Sequence, residues 1–457
     1  MAVLHCWQPG SARGAAVVWN QSAGGSWNAA TNWTPNDIPE TAGDSATFNG
    51  AASASNPDQT ANRPVTLDGA KTVGAIIFNN DLGNLTNSIM TGSGGPLTLD
   101  EAGEGPATIT TMGTGSASGI NTVSVATVLA DSLVATTNNL STAGSGSLNL
   151  TTAMSGPGGF TKQGDGLATF GTGQKTYQGA TVLAGGRMRI SAAAQPSATS
   201  SFTVNAGAQL TLLASGGSFT FGSGPLNLNG TGTTTGPFVV FPGAIRNETG
   251  SPSVINNPVV LQSDSLVHIE GAATGSVTFS NSVSGPGSLT LTAPSSSFNQ
   301  GQLVLNGANT YAGGTFVNGG NLVASGAAAT FGTGNVVVDN ALSADSNARL
   351  TIQSGVLNAI ADTATLSLAG GRAGNSADTG FAFLDAGVNE AVGALLLAGV
   401  AQVPGTYGSG ASSATFKNDE FFSGLGTIAV IPEPGAAMIA AVTCAALLAP
   451  RRPRRQS

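Results

Sequence analysis

The sequence predicts an all-β chain of many short strands joined by tight turns, and three observations predict it. Gly supplies 66 of the 457 residues, about twice its ordinary share and far more than helices tolerate. Charged residues make up only 8%, against about 25% in an ordinary globular protein, so the Glu, Lys and Arg that build solvent-facing helices are missing. Apolar residues recur in short runs, such as Val65 to Leu67, Leu97 to Leu99, Leu148 to Leu150 and Val336 to Val338, with Gly, Ser, Thr and Asn between them. That rhythm suits strands and turns. A hydrophobic share of 40% supplies a core that a disordered chain would lack.

Taken in order, residues 1–16 read as the remnant of an export signal or a misassigned start, because Ala2-Val3-Leu4 is too short for the apolar run of a secretory signal. Residues 17–60 hold Trp19, Trp27 and Trp33. They are expected to cap one end of the fold, the other reading being a platform on which sugars stack. Residues 61–370 form the body, and they contain a duplication. Thr176, Tyr177, Gly179, Gly185 and Gly186 match Thr310, Tyr311, Gly313, Gly319 and Gly320 at a constant offset of 134. Gly314 continues the second copy where the first has Ala180, and Asn309 stands where the first has Lys175. Ser155-Gly156-Pro157-Gly158 matches Ser284-Gly285-Pro286-Gly287 at an offset of 129, and Asp131 matches Asp264 at 133. Two modules follow, 123–191 and 255–325, with an insertion near Pro294 to Phe298 in the second. Each Gly-Gly pair is expected to make the positive-φ corner between strands. With coils of about 20 to 25 residues rising about 4.8 Å each, some 400 residues would make a rod of about 16 to 20 coils, near 80 to 95 Å. Residues 371–430, with Gly405-Thr406-Tyr407-Gly408 and Phe421 to Thr427, close it.

Residues 431–457 have a different character: Pro432-Glu433-Pro434, then uncharged and mostly apolar residues from Gly435 to Ala449, then Arg451, Arg452, Arg454 and Arg455. As a helix that apolar run would span about 22 Å, a short transmembrane segment against a core of about 30 Å, with the arginines held in the cytoplasm.

These segments resemble two known families. The order Pro-Glu-Pro, apolar helix, Arg cluster is similar to the PEP-CTERM sorting signal of bacterial surface and secreted proteins. That resemblance implies a transient inner-membrane anchor and an exosortase-type membrane processing enzyme as partner. The Asn309-Thr310-Tyr311-Ala312-Gly313-Gly314-Thr315 run, with Gly319-Gly320 after it, resembles the autotransporter-associated β-strand repeat. It implies a right-handed parallel β-helix, a β-solenoid, displayed outside the cell.

Function classes narrow accordingly. Apart from Arg13 and the four C-terminal arginines, the chain has 10 cations against 23 anions, and without a basic stripe no nucleic-acid partner is expected. Cys6 and Cys444, near the two ends, suit neither a disulfide framework nor a thiolate metal site. His5 and His268 are the only histidines, and no Ser-His-Asp arrangement is supported. Gly156 to Gly159 lacks the Lys-Ser/Thr ending of a phosphate loop, and Gly164-Asp165-Gly166 reads as a turn. Parallel β-helices can host polysaccharide-cleaving carboxylates. The acids Asp131, Asp264, Asp339, Asp345, Asp362 and Asp378 are scattered singly, so no enzyme and no cofactor are expected. The favoured reading is an exported surface or matrix scaffold; the alternative is an adhesin that binds extracellular polysaccharide.

Overall fold

The structure is a computed structural model, and it describes residues 14–431 apart from 50–57, 81–84, 104, 114–118, 139–146, 214–216, 236–241, 249–250, 271–274, 294–300, 339–347 and 371–380. Residues 1–13 and 432–457 lie outside it. The described chain is all-β, with only two three-residue 3₁₀ turns, Ala30–Asn32 and Ala192–Ala194. No helix among the described residues is long and apolar enough to cross a membrane; the predicted span, Gly435 to Ala449, lies outside them.

Strands stack in parallel, each pairing with strands one coil before and after. One stack climbs from Ala16–Trp19 through Ser45–Asn49, Ala75–Asn80, Ala107–Gly113, Leu133–Asn138, Phe160–Gln163, Thr181–Leu183 and Phe202–Val204. It continues through Leu226–Gly230 and Val259–Ile269 to Val283–Ser284. A second stack runs from Gly25–Ser26 through Leu167–Phe170, Gly186–Ser191, Ala208–Leu213, Ile245–Asn247, Leu289–Thr292 and Thr315–Val317 to Ala394–Leu397. A third begins at Lys71–Val73, passes through isolated bridges at Lys175 and Pro196, and resumes from Gly217–Phe219 to Phe422–Gly424. Successive strands along the chain visit the three stacks in turn, which makes a solenoid.

The alternation within each strand explains the core. In Leu133–Asn138 the buried residues are Leu133, Ala135 and Thr137, and parallel pairing holds side chains of equal parity in one column. One column therefore runs Ile76, Ile109 and Ala135, all fully buried. Among the described residues the solenoid has fewer coils than expected. The second stack holds 15 strands among the described residues, which gives about 70 Å. Coil length varies more than the assumed value: Leu148 pairs with Ala168, 20 residues on, but Leu210 pairs with Ile245, 35 residues on. A longer coil uses more residues without adding height to the stack.

Antiparallel strands finish both ends. Trp33–Thr34 folds back on Ala16–Trp19, Val400–Ala401 folds back on Ala394–Leu397, and Gly405–Gly408 pairs antiparallel with Thr427–Val430. Trp19, Trp27 and Trp33 are fully buried. Their rings meet edge to face at 4.9 Å, with Phe48 beneath them stacked on Phe78 at 5.3 Å. Each indole N–H donates to a backbone carbonyl, Trp33 to Trp27, Trp27 to Pro39 and Trp19 to Ala23. A buried indole has no face to offer a sugar.

Candidate functional site: the tyrosine turns and a buried charge ladder

The duplicated motif builds the same local structure twice. Tyr177 and Tyr311 are both fully buried. Each hydroxyl meets the Thr four residues on, Thr181 and Thr315, at 2.7 Å, so the motif Thr-Tyr-x-Gly-x-Thr ties a turn to the strand that follows. Burial pushes both phenols above their ordinary range, with the threonine hydrogen bond opposing. Gly186 and Gly320 take φ of +61° and +80°, where a side chain is strained. A Cβ on Gly320 would stand 2.3 Å from the Gly301 carbonyl oxygen. At Gly185 nothing lies nearer than 3.6 Å, so in the first copy the corner conformation belongs to the second glycine, whereas in the second copy a Cβ on Gly319 would also stand 2.7 Å from the Ala293 carbonyl oxygen. Gly156 and Gly285 likewise match, at +113° and +111°.

Equivalent turns do not share a face. Thr181–Leu183 lies in the first stack, whereas Thr315–Val317 pairs with Leu289–Thr292 in the second. The second copy is turned by one face around the axis relative to the first, since 134 residues do not make a whole number of coils here.

The copies also differ inside. Lys162 occupies an inward position of Phe160–Gln163 that Leu291 fills in the second module, and it is fully buried. Its Nζ donates to the carbonyls of Gln163, Gly164 and Gly185 at 3.1, 2.8 and 2.8 Å. Desolvation lowers it to about 7, against a smaller opposing pull from Asp165. Lys175 donates to Thr152 and Gly173 carbonyls at 2.6 and 2.5 Å and lies over the Phe170 ring; burial lowers it to about 8. Asn309, its counterpart, bridges with a neutral amide instead, accepting from Val283 N and donating to the Thr330 carbonyl.

A charge ladder that sequence reading missed lies on the outer side of the second stack. Arg189, Thr211, Arg246, His268 and Thr292 stand opposite one another in successive coils. Glu248 accepts from Arg187 at 2.7 Å and Arg189 at 2.5 Å, with Arg246 at 3.7 Å, and Arg246 also pairs with Glu270. Burial pushes Glu248 up, but the arginines outweigh it and its carboxyl lies below the usual range; Arg187, mainly desolvated, falls to about 10. Both are charged at neutral pH. His268, held at 2.9 Å from Thr292 Oγ1, is lowered to about 4 by burial and by Arg246. The signal in the sequence was four cations, Lys162, Lys175, Arg187 and Arg189, crowded into the first module and absent from the second.

Two of the scattered acids serve the backbone, and a third bonds a side chain. Asp131 accepts from Glu101 N at 2.7 Å and Asp264 from Ser288 N at 2.9 Å, while Asp362 accepts from the Asn358 amide. Asp339, Asp345 and Asp378 lie outside the described residues, as do the sorting residues Pro432, Glu433, Pro434, Arg451, Arg452, Arg454 and Arg455. Among the described residues no group of three His, Cys, Asp or Glu side chains could hold a metal ion.

Comparison with known proteins gives one match. The model of the passenger-associated-transport-repeat family matches residues 160–190 and 300–324, which contain the two tyrosine turns, and it bears out the autotransporter-associated repeat there. No curated protein and no solved structure matches the chain.

Proposed function

We propose that the chain is an exported structural protein, a β-solenoid rod displayed at the bacterial cell surface or in the extracellular matrix. The observation that carries this reading is the duplicated tyrosine turn, matched by the passenger-associated-transport-repeat model and set in parallel stacks closed at both ends. Its coils are right-handed, the sense that parallel strand crossovers favour. An acidic surface, net −8, suits solubility outside the cell. In this reading the rod performs no chemistry of its own, and two of the candidate acids, Asp131 and Asp264, are engaged by backbone N–H groups. Incubation with a panel of polysaccharides is expected to release no reducing ends, and release abolished by Asp131→Asn, Asp264→Asn or Asp362→Asn would overturn this.

The tail sorts the rod. In this reading Gly435 to Ala449 engages the inner membrane, Arg451 to Arg455 set its orientation, and an exosortase-type enzyme acts at Pro432-Glu433-Pro434, where proline breaks the helix. With an export signal supplied, the intact chain is compared with Glu433→Ala and with a deletion of 451–455. A change in mature mass and fractionation is expected; identical behaviour of all three overturns the sorting role.

A further inference from the structure

The outer surface beside the second tyrosine turn holds a notch of about 330 Å³. It is lined by Gly313, Gly314 and Gly334 together with Phe316, Asn335 and Val337. We propose that this notch binds a neutral sugar ring of an extracellular polysaccharide, laid against Phe316 with its hydroxyls within reach of the Asn335 amide.

Three observations carry it. Phe316 is 37% exposed, and among the described residues the only other aromatic so exposed is Phe416, which is stacked on Tyr407 at 4.8 Å. Among the described residues no ring or cation is set against Phe316, which leaves its negative face to the weakly positive C–H groups of a sugar ring. Second, the residues that line the notch differ between the two copies. Gln178, Ala180 and Val182 of the first module stand where the second has Ala312, Gly314 and Phe316. Two of these differences trim side chains and the third adds the ring. Gly314 takes φ +92°, and a methyl on it would stand 3.8 Å from the Phe316 ring, inside the notch. Third, nothing charged lines it, in a chain of net −8, so an acidic glycan gains no partner there while a neutral one pays no ionic desolvation. Asn335 Oδ1 accepts from Thr365 N at 2.9 Å, which fixes the amide and leaves its N–H₂ to donate.

The proposal takes from the scaffold reading only that this face is displayed outside the cell; its test reads binding by the purified chain and fails or succeeds separately. Calorimetric titration of the full chain uses cellohexaose, laminarin and dextran as neutral probes and alginate as the acidic one. Saturable binding of at least one neutral probe is expected, weakened roughly tenfold or more by Phe316→Val, which imports the first module's residue. Asn335→Asp keeps the acceptor for Thr365 N and removes the donor, and it is expected to weaken binding likewise at unchanged thermal midpoint. Absence of neutral binding, equal binding by both variants, or preference for alginate would overturn the proposal. So would self-association lost in Phe316→Val, which would make a second copy the occupant.

Discussion

At the residue scale, a strained corner glycine of the second copy and the unstrained Gly185 of the first are distinguishable by experiment. Gly320→Val places a β-branched side chain at φ +80° with its Cβ 2.3 Å from a carbonyl oxygen, and a loss of about 2 kcal/mol or more is expected in denaturant unfolding. Gly185→Ala meets nothing nearer than 3.6 Å and should cost under about 1 kcal/mol. Equal losses would mean that the strain does not reside in the second glycine. The buried lysines make a pH prediction. Lys162 falls from 10.5 to about 7 and Lys175 to about 8, so between those values and 10.5 the unfolded chain binds more protons. Stability then rises with pH across that window and is lost as pH falls through the folded values. Above about pH 10 the raised phenols of Tyr177 and Tyr311 reverse the trend. Thermal midpoints measured from pH 6.5 to 10 should climb in the parent and climb less in Lys162→Met; parallel curves would show that Lys162 does not titrate in that range.

At the scale of the element, much of the fold was legible because parallel strands repeat one code. A buried column needs apolar residues of equal parity in each strand, and Val65 to Leu67 or Leu148 to Leu150 announce that locally. The tyrosine turns were legible for the same reason, since Tyr, Gly and Thr act within a few residues of each other. What the sequence hid was the contact between coils. Glu248 meets Arg189 across 59 residues, and no local spacing reports that. Nor does an offset of 134 tell which face a copy occupies, because the loop lengths between coils decide it. The ladder is an element in its own right. Glu248→Ala would leave Arg187 and Arg246 buried without the carboxylate they share, a change worth about 3 kcal/mol in buried networks. The expected result is a loss of that order in denaturant unfolding, with far-UV circular dichroism intact; a loss below about 1 kcal/mol would show that the arginines find other acceptors.

At the scale of the molecule, a solenoid's stability is a chain of interfaces between neighbouring coils, and its weak points are its ends. An open parallel edge offers unpaired N–H and C=O groups to another chain. The N-terminal edge, Ala16–Trp19, is covered by the antiparallel Trp33–Thr34, and that segment is held down by the Trp33 ring packed against Trp19 and Trp27 at 4.9 Å. Truncating Trp33 removes the packing and the hydrogen bond to Trp27 O together, a change of about 3 to 5 kcal/mol for a buried aromatic, concentrated in one coil. A mid-rod change such as Gly320→Val is flanked by coils on both sides and leaves no free edge. Trp33→Ala is therefore expected to raise hydrogen exchange in the first coils while the distant ones stay protected, and to form soluble oligomers in light scattering that Gly320→Val does not form. If the two variants oligomerise alike, or if exchange rises evenly along the chain, the tryptophan cluster is not the guard of that edge and the rod unfolds as one unit rather than from its end.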